Sequence, residues 1–211
     1  MSFPDFSGSD AQVQWQRFCD LLWYHDDLGI WLDVSRMHVN ASHLETLQPG
    51  FDQAFAAMQD LESGAIANED EQRQVGHYWL RSPQLAPTDD VRDHIASEID
   101  RIEAFGQDVI SGTIKAPNGE AFTDVLWIGI GGSGLGPLLM IKALQNQGEG
   151  LPFHFFDNVD PNGMSAVLAG LGDKLKTTLV VTVSKSGGTP EPHLGMEQAR
   201  HRLEERGGQW A

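Results

Sequence analysis

Residues 182–192, TVSKSGGTPEP, place Ser184, Lys185, Ser186, Gly187, Gly188 and Thr189 in one short run. Hydroxyl and ammonium donors around two glycines suit a loop that holds an anion, because only donors face the charge and the backbone can approach it. A second run, GIGGSGLGP at residues 129–137, satisfies G-x-G-x-x-G at Gly129, Gly131 and Gly134. The segment after it reads as a helix, apolar nearly all round, whose free N–H groups and positive dipole end would also favour an anion. Taken alone, this loop leaves three readings open: a dinucleotide, another phosphate, or a tight turn with no ligand. Asp157 closes the next apolar run, where a ribose-binding acid would stand in a dinucleotide site.

The elements that must position these loops follow from periodicity. DVLWIGI, FHFFDNV and TLVVTVS are short, continuously apolar runs separated by helix-length segments. Strands apolar on both faces, alternating with helices, predict a parallel sheet covered on both sides, the start of a doubly wound α/β domain. The two loops leave the first and third strands. With strand order 2-1-3 those strands are neighbours, and both loops face one switch point beyond their carboxyl ends. Ser133, Ser184, Ser186 and Thr189 could then donate to a single phosphate. The second loop is no Walker A motif, since Lys185-Ser186 lacks the upstream glycine, and its hydroxyls would crowd a dinucleotide. A small phosphorylated metabolite is the better ligand. Thr189 reads as an N-cap with Pro190 at the first helical position. The helix after it should turn Leu194, Ala199 and Leu203 inward and stop at Gly207-Gly208.

Residues 1–87 read as a mostly helical region. Val13, Phe18, Leu21 and Leu22 fall near helical spacing. Leu44, Leu47, Phe51, Phe55, Met58 and Leu61 do the same, with Pro49-Gly50 as a start signal. A Pro-punctuated linker then leads into an amphipathic helix, with Thr88 as N-cap, a stripe of Val91, Ile95, Ile102, Phe105 and Val109, and Gly112 as its stop.

Composition bounds the function. The chain has 211 residues, 40% of them hydrophobic, and six tryptophans, enough for one or two packed domains. Its formal net charge of −16 disfavours nucleic acid. No apolar run approaches the ~18 residues that span a bilayer, and the N-terminus lacks the pattern of a secretory signal. A cytoplasmic protein is expected. The single Cys19 lies among apolar neighbours and reads as a buried, inert core thiol. The eight histidines show no metal-ligand constellation and read as structural or exposed; no metal and no cofactor are expected.

GIGGSGLGP followed by VSKSGGTPE closely resembles the glucose-6-phosphate isomerase family, within the wider sugar isomerase (SIS) fold. GHYWLR at Gly76–Arg81 and FFDNVDPNGM at Phe155–Met164 also look like segments of that family. The resemblance covers roughly residues 75–195. It implies that Gly132 and Ser133 line a sugar-phosphate site, and that Ser184, Ser186 and Thr189 bind the phosphate with Lys185 beside them. Glu191 matches a carboxylate that supports the catalytic histidine; it is equally placed to favour the helix dipole. Where the family commonly carries threonines and an aromatic, this chain has Ser186, Gly187 and Gly188. The implied chemistry is reversible isomerisation of glucose 6-phosphate and fructose 6-phosphate, in glycolysis and gluconeogenesis, by a homodimer at full length.

The family's Glu base, ring-opening His and distal basic residue have no matching motif here, and no fourth strand follows the last helix. The expectation is therefore the N-terminal part of a longer enzyme. Residues 1–87 would be a helical region and 88–211 a first SIS domain, cut after its third strand and helix. The alternative is a non-catalytic SIS module that senses a sugar phosphate.

Overall fold

The computed structural model describes residues 10–144 and 150–210. The chain divides into two compact units, Met1–Ala96 and Ser97–Ala211.

In the first unit, α1 (Ala11–Leu21) runs directly into an antiparallel hairpin of β1 (Leu22–His25) and β2 (Ile30–Asp33). The hairpin corrects the helical reading of Leu22: the β-prone residues Trp23, Tyr24, Ile30 and Trp31 pair across a turn closed by Gly29 at φ +61°. Arg17 braces the exit from the hairpin by donating to the carbonyls of Ser35, Met37 and Val39. Cys19 is exposed on α1, not buried; helical spacing set its face, but none of the described residues buries it. A second correction concerns α2, which spans Ala41–Glu62 with Pro49 inside it rather than at its start. The cap lies upstream, where the Asn40 side chain accepts the His43 N–H at 2.8 Å. The short α3 (His77–Arg81) buries Trp79, whose indole N–H donates to the Glu62 carbonyl at the end of α2.

α4 (Asp89–Ile110) starts where the sequence places it, with the Val91 N–H on Thr88 Oγ1, and closes at Gly112, φ +74°. Three parallel strands follow: β3 (Asp124–Ile128), β4 (Phe153–Phe156) and β5 (Thr178–Thr182), interleaved with α5 (Gly132–Leu144) and α6 (Pro161–Leu171). The order β4-β3-β5 is the 2-1-3 arrangement expected of this α/β sheet, so the strand order reverses between β3 and β5 while all three strands stay parallel. Period-2 alternation sorts its side chains. Leu126, Ile128 and Phe156 face a core completed by Leu168 and Leu171 of α6, Leu175, and Ala199 and Leu203 of α7 (Pro190–Glu205). Fully burying a side chain such as Leu126 contributes about 1.5–3 kcal/mol. On the other face Val125, Trp127, Leu179 and Val181 meet α4 and α5 across an apolar groove. Ile102 and Phe105, expected on the packed stripe of α4, stay largely exposed.

The inward face of α7 also differs from expectation. Ala199 and Leu203 are buried, but Leu194 is 51% exposed and its neighbour Gly195 faces the sheet instead. A Cβ on Gly195 would stand 2.8 Å from Ile128 Cγ2, so only glycine lets the helix lie this close to the strands. At the opposite, N-terminal end of the sheet, buried Asp124 is satisfied by His154 Nε2 at 2.9 Å and by the Thr123 hydroxyl at 2.8 Å. That makes His154 a structural histidine.

Candidate sugar-phosphate site

The two glycine-bearing loops leave neighbouring strands side by side. The Val183 N–H donates to the Ile128 carbonyl at 2.8 Å, so strand pairing runs to the point where both loops begin. The first loop is locked by backbone packing. A Cβ on Gly129 would lie 2.5 Å from the Ser133 carbonyl oxygen, and one on Gly134 would collide with the Gly129 carbonyl. Gly131 takes φ +55°, and the turn closes with Ser133 N–H on Ile130 O and Leu135 N–H on Gly131 O. Gly132 and Ser133 thus open α5 directly beyond β3, with the Ser133 and Gly134 N–H groups taken by the Ile130 and Gly131 carbonyls.

The second loop is held by side chains. Thr189 Oγ1 lies 3.0 Å from Ser184 Oγ and 3.3 Å from Ser186 Oγ. The Gly187 N–H donates to Ser184 Oγ, and the Gly188 N–H to Ser186 Oγ. Gly187 adopts φ +73°, which a side chain would strain, while Gly188 has an ordinary backbone. Thr189 is the N-cap residue of α7, with Pro190 at the first helical position, yet its hydroxyl makes no capping bond. That hydroxyl is committed to the serines instead. Three hydroxyls share two internal contacts, so at least one O–H remains for an incoming acceptor, and an anion that displaced those contacts could take all three. Lys185 is exposed beside them. Among the described residues, no hydrogen bond joins Ser133 to this cluster.

Glu191 lies in the first turn of α7, half-buried, and lines a small pocket with Gly129, Ile130, Phe156 and Asn158. It therefore stands at the same end of the sheet as both loops, set there by the close approach of Gly195 one turn further along. Asp157 accepts from the Asn158 side chain at 2.7 Å, Asn158 Oδ1 accepts the Asp160 N–H, and Asp160 caps α6. These three residues order the turn from β4 into α6. Among the described residues, no group of three or more His, Cys, Asp or Glu side chains could hold a metal ion.

Two contributors escaped the sequence reading. Gly195 carried a signal, since an isolated glycine in a helix interior marks close packing. Trp127 carried a weaker one: a large indole among the aliphatic Val125, Leu126 and Ile128 of β3. Its N–H donates to the Ser133 carbonyl at 2.8 Å.

The phosphoglucose isomerase family pattern matches residues 33–209. A glucose-6-phosphate isomerase of Parasynechococcus marenigrum (strain WH8102) is 83% identical over all 211 residues, which make up 38% of its own length. Corresponding isomerases from Synechococcus sp. (strain CC9605) and Prochlorococcus marinus (strain MIT 9211) are 81% and 56% identical, with 40% of each relative's length and all of this chain covered. The chain spans about 40% of the length of the curated relatives it matches.

Proposed function

Because the chain belongs to the phosphoglucose isomerase family, we propose that it supplies the phosphate-holding part of an enzyme that interconverts glucose 6-phosphate and fructose 6-phosphate. Ser184, Ser186 and Thr189 donate to the phosphate, with Lys185 adding positive charge and Gly132 and Ser133 lining the same phosphate site. Glu191 acts in support, orienting a histidine that opens the sugar ring. A carboxylate base then carries a proton between C2 and C1 through an enediolate. The base, the ring-opening histidine and a distal basic residue come from the part of the relatives' length that these residues do not span. No metal is needed where a carboxylate base and fixed donors stabilise the intermediate.

The observation that carries the proposal is the Thr189 hydroxyl, which stands at a helix N-cap and bonds to Ser184 and Ser186 instead of capping. A phosphate anchored there holds one end of the substrate while its C1 and C2 remain free to react. The reading extends to a mostly helical N-terminal region ending at residue 87 and a first SIS domain from residue 88. It also extends to a cytoplasmic homodimer that does not bind nucleic acid. The net charge of −16 favours that last point.

The test is a coupled assay of fructose 6-phosphate turnover on the intact protein. Each hydrogen bond lost to a charged group weakens binding by about 1.5–3 kcal/mol. Ser184→Ala/Thr189→Ala should therefore raise KM by roughly a hundredfold or more. An unchanged KM would remove the phosphate from this loop.

A further inference from the structure

Within α5 one carbonyl loses its helical partner. The C=O of residue i in an α-helix accepts from the N–H of residue i+4. For Ser133 that position is Pro137, which lies inside the helix and has no N–H. The Ser133 carbonyl is nevertheless satisfied, by the Trp127 indole N–H at 2.8 Å. Trp127 stands on β3 two residues before Gly129, and its ring lines the apolar groove with Ile141 and Val181. The same carbonyl oxygen is the atom that leaves no room for a side chain at Gly129. Carbonyl, glycine and indole therefore form one contact at the turn that carries Gly132 and Ser133.

We infer that Trp127 is a positioning residue of the phosphate site. Its indole supplies the donor that Pro137 removes, and so fixes the first turn of α5 against the end of β3. Without it the partly buried carbonyl would turn towards water or another donor, and Ser133 would move with it. The inference rests on the reading of the two loops as a phosphate site. The molecule contains its own control: the Trp79 indole N–H also donates to a helix carbonyl at 2.8 Å, that of Glu62, but in the other unit.

Calorimetric titration of the intact protein with inorganic phosphate tests this, using Trp127→Phe, Pro137→Ala and the double variant. Phenylalanine keeps the ring in the groove and removes only the donor, whereas alanine at 137 restores a backbone N–H for Ser133. W127F should bind phosphate about tenfold more weakly, P137A much as the wild type does, and W127F/P137A should recover most of the loss. In the wild type, the Trp127 indole resonance should shift on saturation with phosphate while that of Trp79 stays in place, a readout that needs no substitution to fold. Wild-type affinity in W127F, no recovery in the double variant, or an unmoved Trp127 resonance would overturn the inference while leaving the phosphate reading intact. A wild type that fails to bind phosphate would sink both.

Discussion

The two loops at the switch point both read as glycine-rich turns, yet they use glycine for opposite reasons. In the first, Gly129 and Gly134 are required because backbone atoms of the same turn occupy the space of any side chain. In the second, a Cβ on Gly187 or Gly188 would meet nothing within 4 Å. There the hydroxyls of Ser184, Ser186 and Thr189 hold the loop's shape, and the glycines contribute N–H groups and, at Gly187, a positive φ. One loop is a rigid backbone platform; the other is a cluster of hydroxyls bonded to one another, whose bonds the proposed ligand would replace. A small anion bound between them would meet fixed geometry on one side and adjustable hydroxyls on the other.

The contrast breaks most visibly in stability. Gly134→Ala forces a backbone shift against the Gly129 carbonyl and should destabilise the fold by about 3 kcal/mol, the upper part of the overpacking range. Denaturant unfolding measures it, and an unchanged midpoint would mean the first loop is not locked. Gly187→Ala should cost about 1–2 kcal/mol through its left-handed backbone. That cost should lower the unfolding midpoint, and the altered loop should bind fructose 6-phosphate more weakly. Gly188→Ala should change stability by no more than about 0.5 kcal/mol. If the two second-loop variants behaved alike, the positive φ at Gly187 would be irrelevant to the site.

The smallest expected signal separates the proposed phosphate site from a dinucleotide fold. Asp157 is engaged with Asn158 in the turn towards α6. Titration of NADH or NADPH, followed by cofactor fluorescence, should therefore give no saturable binding in the micromolar range. Saturation there would restore a nucleotide role for GIGGSGLGP.

Much of this architecture was legible in the residues. Continuous apolar runs located β3, β4 and β5, and the 2-1-3 order that would bring the two loops to one switch point is the order observed. Thr88 and Gly112 bounded α4 because caps and stops depend on local backbone chemistry. What spacing could not supply was the choice of covered face. Leu194 and Gly195 are adjacent, and only the distance from α7 to Ile128 decides that glycine turns inward. Cys19 and the hairpin Leu22–Asp33 failed for the same reason: a local pattern names a face or a propensity, and tertiary partners decide its use. At the site, the sequence identified the hydroxyls as donors, but not that Thr189 would forgo capping to join the serines. Nor did it show that a proline inside α5 would enlist Trp127.

The most direct test of the central claim is a crystal structure of the intact protein with fructose 6-phosphate bound. The account predicts phosphate oxygens about 2.5–3.0 Å from the hydroxyls of Ser184, Ser186 and Thr189. It also predicts that the 3.0 Å contact between Ser184 and Thr189 gives way to bonds with the ligand. A phosphate bound elsewhere, with the three hydroxyls still bonded to one another, would contradict it.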